Sequence, residues 1–181
     1  MDPYVVVVTA LWAMLPAYLP NSAAVLGGGG RPLDLGYSLW GRRLLGDGKS
    51  LRGTLVGWAA GAGLALVLNA LVPTAEDLLG VAVPEFPLAV VLFFPLGAML
   101  GDIAASFLKR RLDRKRGAPL PVVDQLDFVV GSLPLAYLAA PEWFQDTFTG
   151  PVLLVVVVVT PVIHLAANRL AYELGLKDQP W

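Results

Sequence analysis

This sequence describes an all-α integral membrane protein: five transmembrane helices, with cytoplasmic polar loops that form the active site. Three observations carry that reading. Of 181 residues, 56% are hydrophobic and only 15% charged, against about 25% charged in soluble domains. The charges are segregated, so apolar runs close to a bilayer thickness contain none. All 13 Lys and Arg fall on one face of a five-span arrangement.

The runs come in order. The first, YVVVVTALWAMLPAYLP at 4 to 20, leads into a neutral stretch that ends only at Arg31. It lacks the basic leader of a signal peptide and carries Asp2 and two internal prolines, so it reads as a span. Residues 53 to 73 form the second run and 86 to 101 the third, which continues past Asp102 to Leu108. The fourth, 128 to 141, needs part of the preceding DQLD to reach spanning length, and 150 to 168 is the fifth. A span needs roughly 20 mainly apolar residues. Together these make one membrane-embedded domain, 1 to 181.

Basic residues set the orientation. Five lie between spans one and two, six between spans three and four, and Arg169 and Lys177 follow span five. The opposite loops carry Glu76, Asp77, Glu85, Glu142 and Asp146 and no basic residue. The positive-inside rule puts the N-terminus outside and the C-terminus inside. Loops 27 to 52 and 109 to 121 are then cytoplasmic, and 74 to 85 and 142 to 149 external. Trp12, Trp58, Trp143 and Trp181 mostly fall near span ends, as interfacial rings do. Gly57, Gly61 and Gly63 make span two small-faced and suited to close helix packing. Pro95 is placed to kink span three. GGGG at 27 to 30 is a flexible turn, since no GK[ST] follows it. Residues 33 to 45 read as an amphipathic interfacial helix.

Several chemistries are excluded. There is no cysteine, and His164 is the single histidine, so neither a thiolate nucleophile nor a His/Cys metal site can be built. The net charge of -1 gives no reason to expect a nucleic-acid partner.

What remains is acidic. Asp102 follows Gly101 within span three, while Asp124 and Asp127 stand one helical turn apart at the start of span four. Carboxylates at membrane depth are costly unless paired, hydrated or bound to a cation. Ser106, Lys109 and Arg110 follow Asp102 at offsets of four, seven and eight, along one helix face. Carboxylates hold divalent cations, whereas Lys and Arg hold phosphate oxygens. Phosphoryl or nucleotidyl transfer needs that combination and requires neither His nor Cys. Asp34 and Asp47 add carboxylates to the first cytoplasmic loop. Its LGDGKSLRG stretch, 45 to 53, sets Asp47, Lys49 and Ser50 among glycines at the mouth of span two.

GDIAASFLKR at 101 to 110, followed by DQLDF at 124 to 128, resembles the signature of the membrane CTP:phosphatidate cytidylyltransferase superfamily. Over nearly its whole length the chain is similar to the short five-helix archaeal branch, with the P-x-x-D-Q-L-D-F form at Pro121 to Phe128. Lys115 stands where the superfamily has its second lysine, Arg116 replaces the following aspartate, and GAPLPVV replaces a histidine–glycine stretch. Asn21, Ser22, Asp34 and LGDGKSLRG complete the match. The resemblance implies cytidylyl transfer from CTP to an isoprenoid ether-lipid phosphate, giving CDP-archaeol and pyrophosphate with magnesium. It implies Asp102, Asp124 and Asp127 as metal ligands, and Lys109 and Arg110 as catalytic phosphate clamps. Asn21, Asp34, Asp47, Lys49, Ser50, Ser106 and Arg111 would bind CTP or the lipid phosphate. Membrane lipids are the other expected partners, and self-association is left open.

Other classes fit less well. A small transporter would use intramembrane carboxylates but has no need of the Ser–Lys–Arg surface. A CDP-alcohol phosphotransferase would carry D-G-x-x-A-R, whereas the only DG, at Asp47, continues KSLRG. A non-catalytic scaffold has no reason to hold three deep aspartates.

Overall fold

The computed structural model describes residues 2–114 and 118–175, and Lys115, Arg116, Lys177 and Trp181 lie outside them. Six helices and a two-stranded hairpin follow in the order α1 (Pro3–Leu26), β1 (Ser38–Leu39), β2 (Arg42–Arg43), α2 (Leu51–Leu79), α3 (Leu88–Arg111), α4 (Val123–Ala139), α5 (Pro141–Thr147) and α6 (Gly150–Glu173). Helix boundaries follow local chemistry. Asp2 accepts from the Tyr4 N–H at 2.8 Å ahead of Pro3, which opens α1. Ser50 caps α2 through the Gly53 N–H at 3.0 Å. Gly80, left-handed at φ 69°, closes α2 with its N–H on the Glu76 carbonyl.

Four helices among the described residues are long and apolar enough to cross a membrane: Pro3–Leu26, Leu51–Leu79, Leu88–Arg111 and Gly150–Leu170. The protein is thus a mostly helical membrane protein. The fourth expected span takes in the preceding DQLD, as its short run required, and is still the shortest of the five. The 17 residues of α4 rise about 25 Å at 1.5 Å each, against a hydrocarbon core of about 30 Å. The helix breaks at Ala140 and restarts as α5 at Pro141. Residues 142 to 149, expected as a loop, are therefore largely helical. Similarly α2 runs on to Leu79, so Glu76 and Asp77 belong to its last turns rather than to a loop.

Residues 33 to 45 do not form the expected amphipathic helix. Ser38 and Leu39 pair antiparallel with Arg43 and Arg42, joined by Trp40 at φ 54° and Gly41 at φ 74°. Two consecutive positive φ angles suit the tight turn of a right-twisted hairpin and are incompatible with a right-handed helix.

The core lies where α1, α2, α3, α4 and α6 meet, with Met14, Phe94 and Met99 fully buried. Small residues let the backbones close up. A β-carbon on Gly57 would come within 2.6 Å of the Pro20 carbonyl and 2.7 Å of Met99 Sδ, whereas Gly63 faces open space. The expected packing role thus holds for Gly57 and Gly61, which meets Pro16 and Pro95, but not for Gly63. At one end of the bundle Trp12 and Trp143 donate to the carbonyls of Pro84 and Glu85, and Asn69 pairs with both backbone groups of Phe86. The indoles hold the α2–α3 connection against the bundle. At the opposite end the helices part around a polar cavity.

Candidate active site

That cavity has a volume of about 640 Å³ and is bounded by the C-terminal ends of α1, α3 and α6, the N-terminal ends of α2 and α4, and the loop before α2. It gathers Asn21, Asp47, Lys49, Ser50, Asp102, Ser106, Lys109, Arg110, Asp124 and Asp127 from widely separated parts of the chain. These are ten of the twelve residues the sequence nominates. The helical spacing of Asp102, Ser106, Lys109 and Arg110 brings all four to one lining, as do the three-residue steps of Asp124 and Asp127.

Helix α3 supplies Asp102 and helix α4 supplies Asp127, and glycines bring the two helices together. A β-carbon on Gly101 would overlap the Asp127 carbonyl, and one on Gly131 would overlap the Gly97 carbonyl. The start of α4 is itself unusual. Val122 is held at φ 69°, a costly conformation for a β-branched residue. Asp124 ties this entry down by accepting from the Leu120 N–H at 2.9 Å.

Carboxylates and cations interlock in the cavity. Lys49 is paired with Asp102, and Lys109 with Asp124 at 2.6 Å. Asp127 accepts from its neighbour's backbone N–H, at Phe128, at 2.6 Å. Asp47 pairs with Arg43 at 2.8 Å. Arg110 donates to the Arg114 carbonyl at 2.8 Å, while its Nε is buried without a protein acceptor. Among the described residues no three acidic or histidine side chains converge as a ready cation cage. The donor chemistry nonetheless suits a hard divalent cation. All three deep aspartates offer oxygen donors on one lining, and two already hold positive charge in the form of lysine ammonium groups.

Asp34 and Arg111 stand apart from the cavity lining. Asp34 is 4% exposed. It accepts from the Arg43 guanidinium at 2.7 and 3.1 Å and from the N–H groups of Gly36, Leu45 and Gly46. The Arg43 guanidinium, aided by those N–H groups and opposed by burial, holds the Asp34 carboxyl well below the usual carboxylate range. Arg111 donates to the carbonyls of Leu39, Arg42 and Arg43 at 2.6, 3.2 and 2.8 Å. The two residues therefore fasten the hairpin, Asp34 from within and Arg111 from the end of α3. Arg43 is what this scaffold delivers to the cavity.

Sequence reasoning passed over the polar lining residues Arg43, Thr54, His164 and Asn168. The last two were detectable as polar residues one turn apart in an otherwise apolar run. The Asn168 amide lies 3.3 Å from the imidazole nitrogens of His164, and that ring stacks on Phe128 at 6.5 Å between centroids.

Comparison with known proteins places the whole chain within one family. The family described as CarS-like: CDP-archaeol synthase matches residues 4–181. CDP-archaeol synthase of Halobacterium salinarum is 64% identical over 181 residues, covering 100% of both chains. That of Haloarcula marismortui is 60% identical over the same full lengths. A solved structure described as an intramembrane enzyme for archaeal membrane lipids biosynthesis superposes with a TM-score of 0.70. It is 39% identical and covers 88% of this chain and 92% of its own.

Proposed function

The chain belongs to the CDP-archaeol synthase family, and we propose that its cytidylyl transfer in archaeal lipid biosynthesis takes place in the cavity at the polar end of the bundle. One observation carries this reading: the helix-borne aspartates Asp102, Asp124 and Asp127, together with Asp47 and the cationic groups Arg43, Lys49, Lys109 and Arg110, line a single cavity among apolar helices. The transporter alternative has no support from the family match.

The substrates are CTP and an archaeol-type lipid phosphate carrying isoprenoid ether chains. A phosphate monoester is anionic near neutral pH, so the attacking oxygen needs no protein base. It bonds to the CTP α-phosphorus as the bond to the bridging oxygen breaks, and pyrophosphate leaves with that electron pair. Lys49, Lys109, Arg43 and Arg110 hold the triphosphate oxygens, a task for charge-assisted hydrogen bonds. Ser50 and the first turn of α2 add N–H groups and the positive end of a helix. Lys49 and Lys109 exchange their aspartates for phosphate oxygens when CTP arrives, which leaves Asp102 and Asp124 open beside Asp127.

Those three aspartates would hold a divalent cation, with magnesium suited to so hard a donor set. When bound it neutralises charge on the transferring and departing phosphoryl groups. Asp34 and Arg111 act one step away, by fixing the loop that carries Arg43, Asp47 and Lys49. We further assign α4 as a fifth, shortened crossing, the cavity to the cytoplasmic face and the N-terminus to the outside, on the strength of the one-sided basic residues. Incubating purified protein with labelled CTP, ether-lipid phosphate and magnesium tests the reading. Labelled CDP-lipid supports it, and CTP left intact with both lipid phosphate and magnesium present would contradict it.

A further inference from the structure

A second, smaller chamber of about 110 Å³ lies between α1, α4 and α6. It shares Asn21, His164 and Asn168 with the main cavity, so the two spaces meet at one wall. The rest of its lining is Tyr18, Phe128, Ile163 and Ala167 with a single small hydroxyl, Ser22. The hydroxyl of its lining residue Tyr18 lies 2.9 Å from that of Thr160 on α6. The outer faces of the two flanking helices are exposed and apolar, with Leu15 and Leu19 on α1 and Val162 and Leu165 on α6.

The combined space has two chemically different ends. Lys49, Lys109, Arg110 and Arg43 come from α3 and the segment before α2, whereas α1 and α6 contribute the amides of Asn21 and Asn168 and the imidazole of His164. In-line displacement puts the attacking oxygen and the leaving pyrophosphate on opposite sides of the α-phosphorus. Pyrophosphate carries the greater charge and belongs with the cations. The attacking phosphate then comes from the α6 side. It is attached to a glycerol bearing two long chains, and ether oxygens offer only acceptors. A site for that group needs a few neutral donors beside the phosphate, an apolar lining beyond them, and an opening between helices that face lipid. We propose that the chamber between α1 and α6 is the subsite for the lipid phosphate and the first carbons of its chains, with His164, Asn168 and Asn21 receiving the head. This rests on the cytidylyl-transfer reading above and assigns which helices form the lipid's way in.

Two variants test it. Ala167→Phe fills the chamber, and Asn168→Ala removes a donor without adding bulk. Each is assayed in detergent for turnover at varied lipid phosphate and, separately, for binding of labelled CTP by equilibrium dialysis. Both should raise the KM for lipid phosphate at least about tenfold while the CTP Kd stays within about twofold. Retained CTP binding reports that the variant is folded. Should Ala167→Phe not fold, Asn168→Ala alone decides. A weakened CTP Kd with an unchanged lipid KM would mean that the chamber serves the nucleotide and would overturn the assignment, as would no change in either. Failure of the parent protein to bind CTP would instead count against the cavity as the reaction site, which separates the two claims.

Discussion

Gly101 on α3 lies so close to the Asp127 carbonyl on α4 that no β-carbon fits between them. The residue beside Gly101 is Asp102, so this backbone contact fixes how two deep carboxylates approach one cavity. Overpacking at such contacts costs about 1–3 kcal/mol, and here the strain falls directly on the acidic lining.

Gly101→Ala should therefore lower thermal stability and reduce turnover at least about tenfold, even in the folded fraction. Gly63→Ala is the matched control, because its β-carbon meets nothing within 4 Å. Replacing a helical glycine by alanine at an unobstructed position stabilises by about 0.5–1 kcal/mol. Gly63→Ala should keep full activity with an unchanged or raised melting temperature. Equal behaviour of the two variants would remove the positioning role from Gly101.

Lys49→Ala tests the exchange of partners at Asp102. Loss of a charge-assisted phosphate contact should raise the CTP requirement about tenfold or more, in line with 1.5–3 kcal/mol for bonds to charged groups. The same change frees Asp102 from a competing cation. The magnesium concentration for half-maximal turnover should then fall or stay level. A rise in the magnesium requirement would contradict the pairing scheme.

The hairpin has its own pH signature. Because the folded Asp34 carboxyl titrates well below its unfolded value of about 4, its stabilisation is complete above that value. It is lost only as the pH falls further, through the folded value. Hydrogen exchange at the Leu45 and Gly46 amides, both bonded to Asp34, should remain protected from pH 8 down to about 4. In Asp34→Ala the protection should be gone at every pH, with a raised CTP requirement and little change in the requirement for lipid phosphate.

The helical runs were legible because a bilayer imposes length and apolarity on any span, and those constraints are written locally. The cavity residues on α3 were legible for the same reason, since offsets of four, seven and eight mark one face. The hairpin was hidden because two-residue strands have no periodicity to read and because its order comes from Asp34 binding groups as distant as Gly46. Nor could spacing reveal that Lys49 would pair with Asp102, 53 positions away, or that His164 and Asn168 would reach the same cavity. The shortness of α4 was visible in its run, which ends at Pro141 beside the break at Ala140, whereas the helical form of the following residues was not.

Orientation is checked by cysteine labelling in intact cells. Leu78, 80% exposed at the end of α2, should accept a membrane-impermeant reagent when replaced by cysteine, and Pro119 in the α3–α4 connection should not. Reversed labelling would invert the assigned topology and put the cavity on the outer face.

The central claim is that Asp102, Asp124 and Asp127 hold a divalent cation that serves cytidylyl transfer. Asp127→Asn tests it most directly, since it preserves size and polarity and removes one charge. Turnover of CTP is measured against magnesium concentration in protein shown to be folded by its melting profile. Loss of a ligand should cost several kcal/mol of charge stabilisation, and hence about a hundredfold or more in rate, with a raised magnesium requirement. Turnover within about threefold of the parent at the same magnesium dependence would contradict the account and leave Asp127 a structural residue.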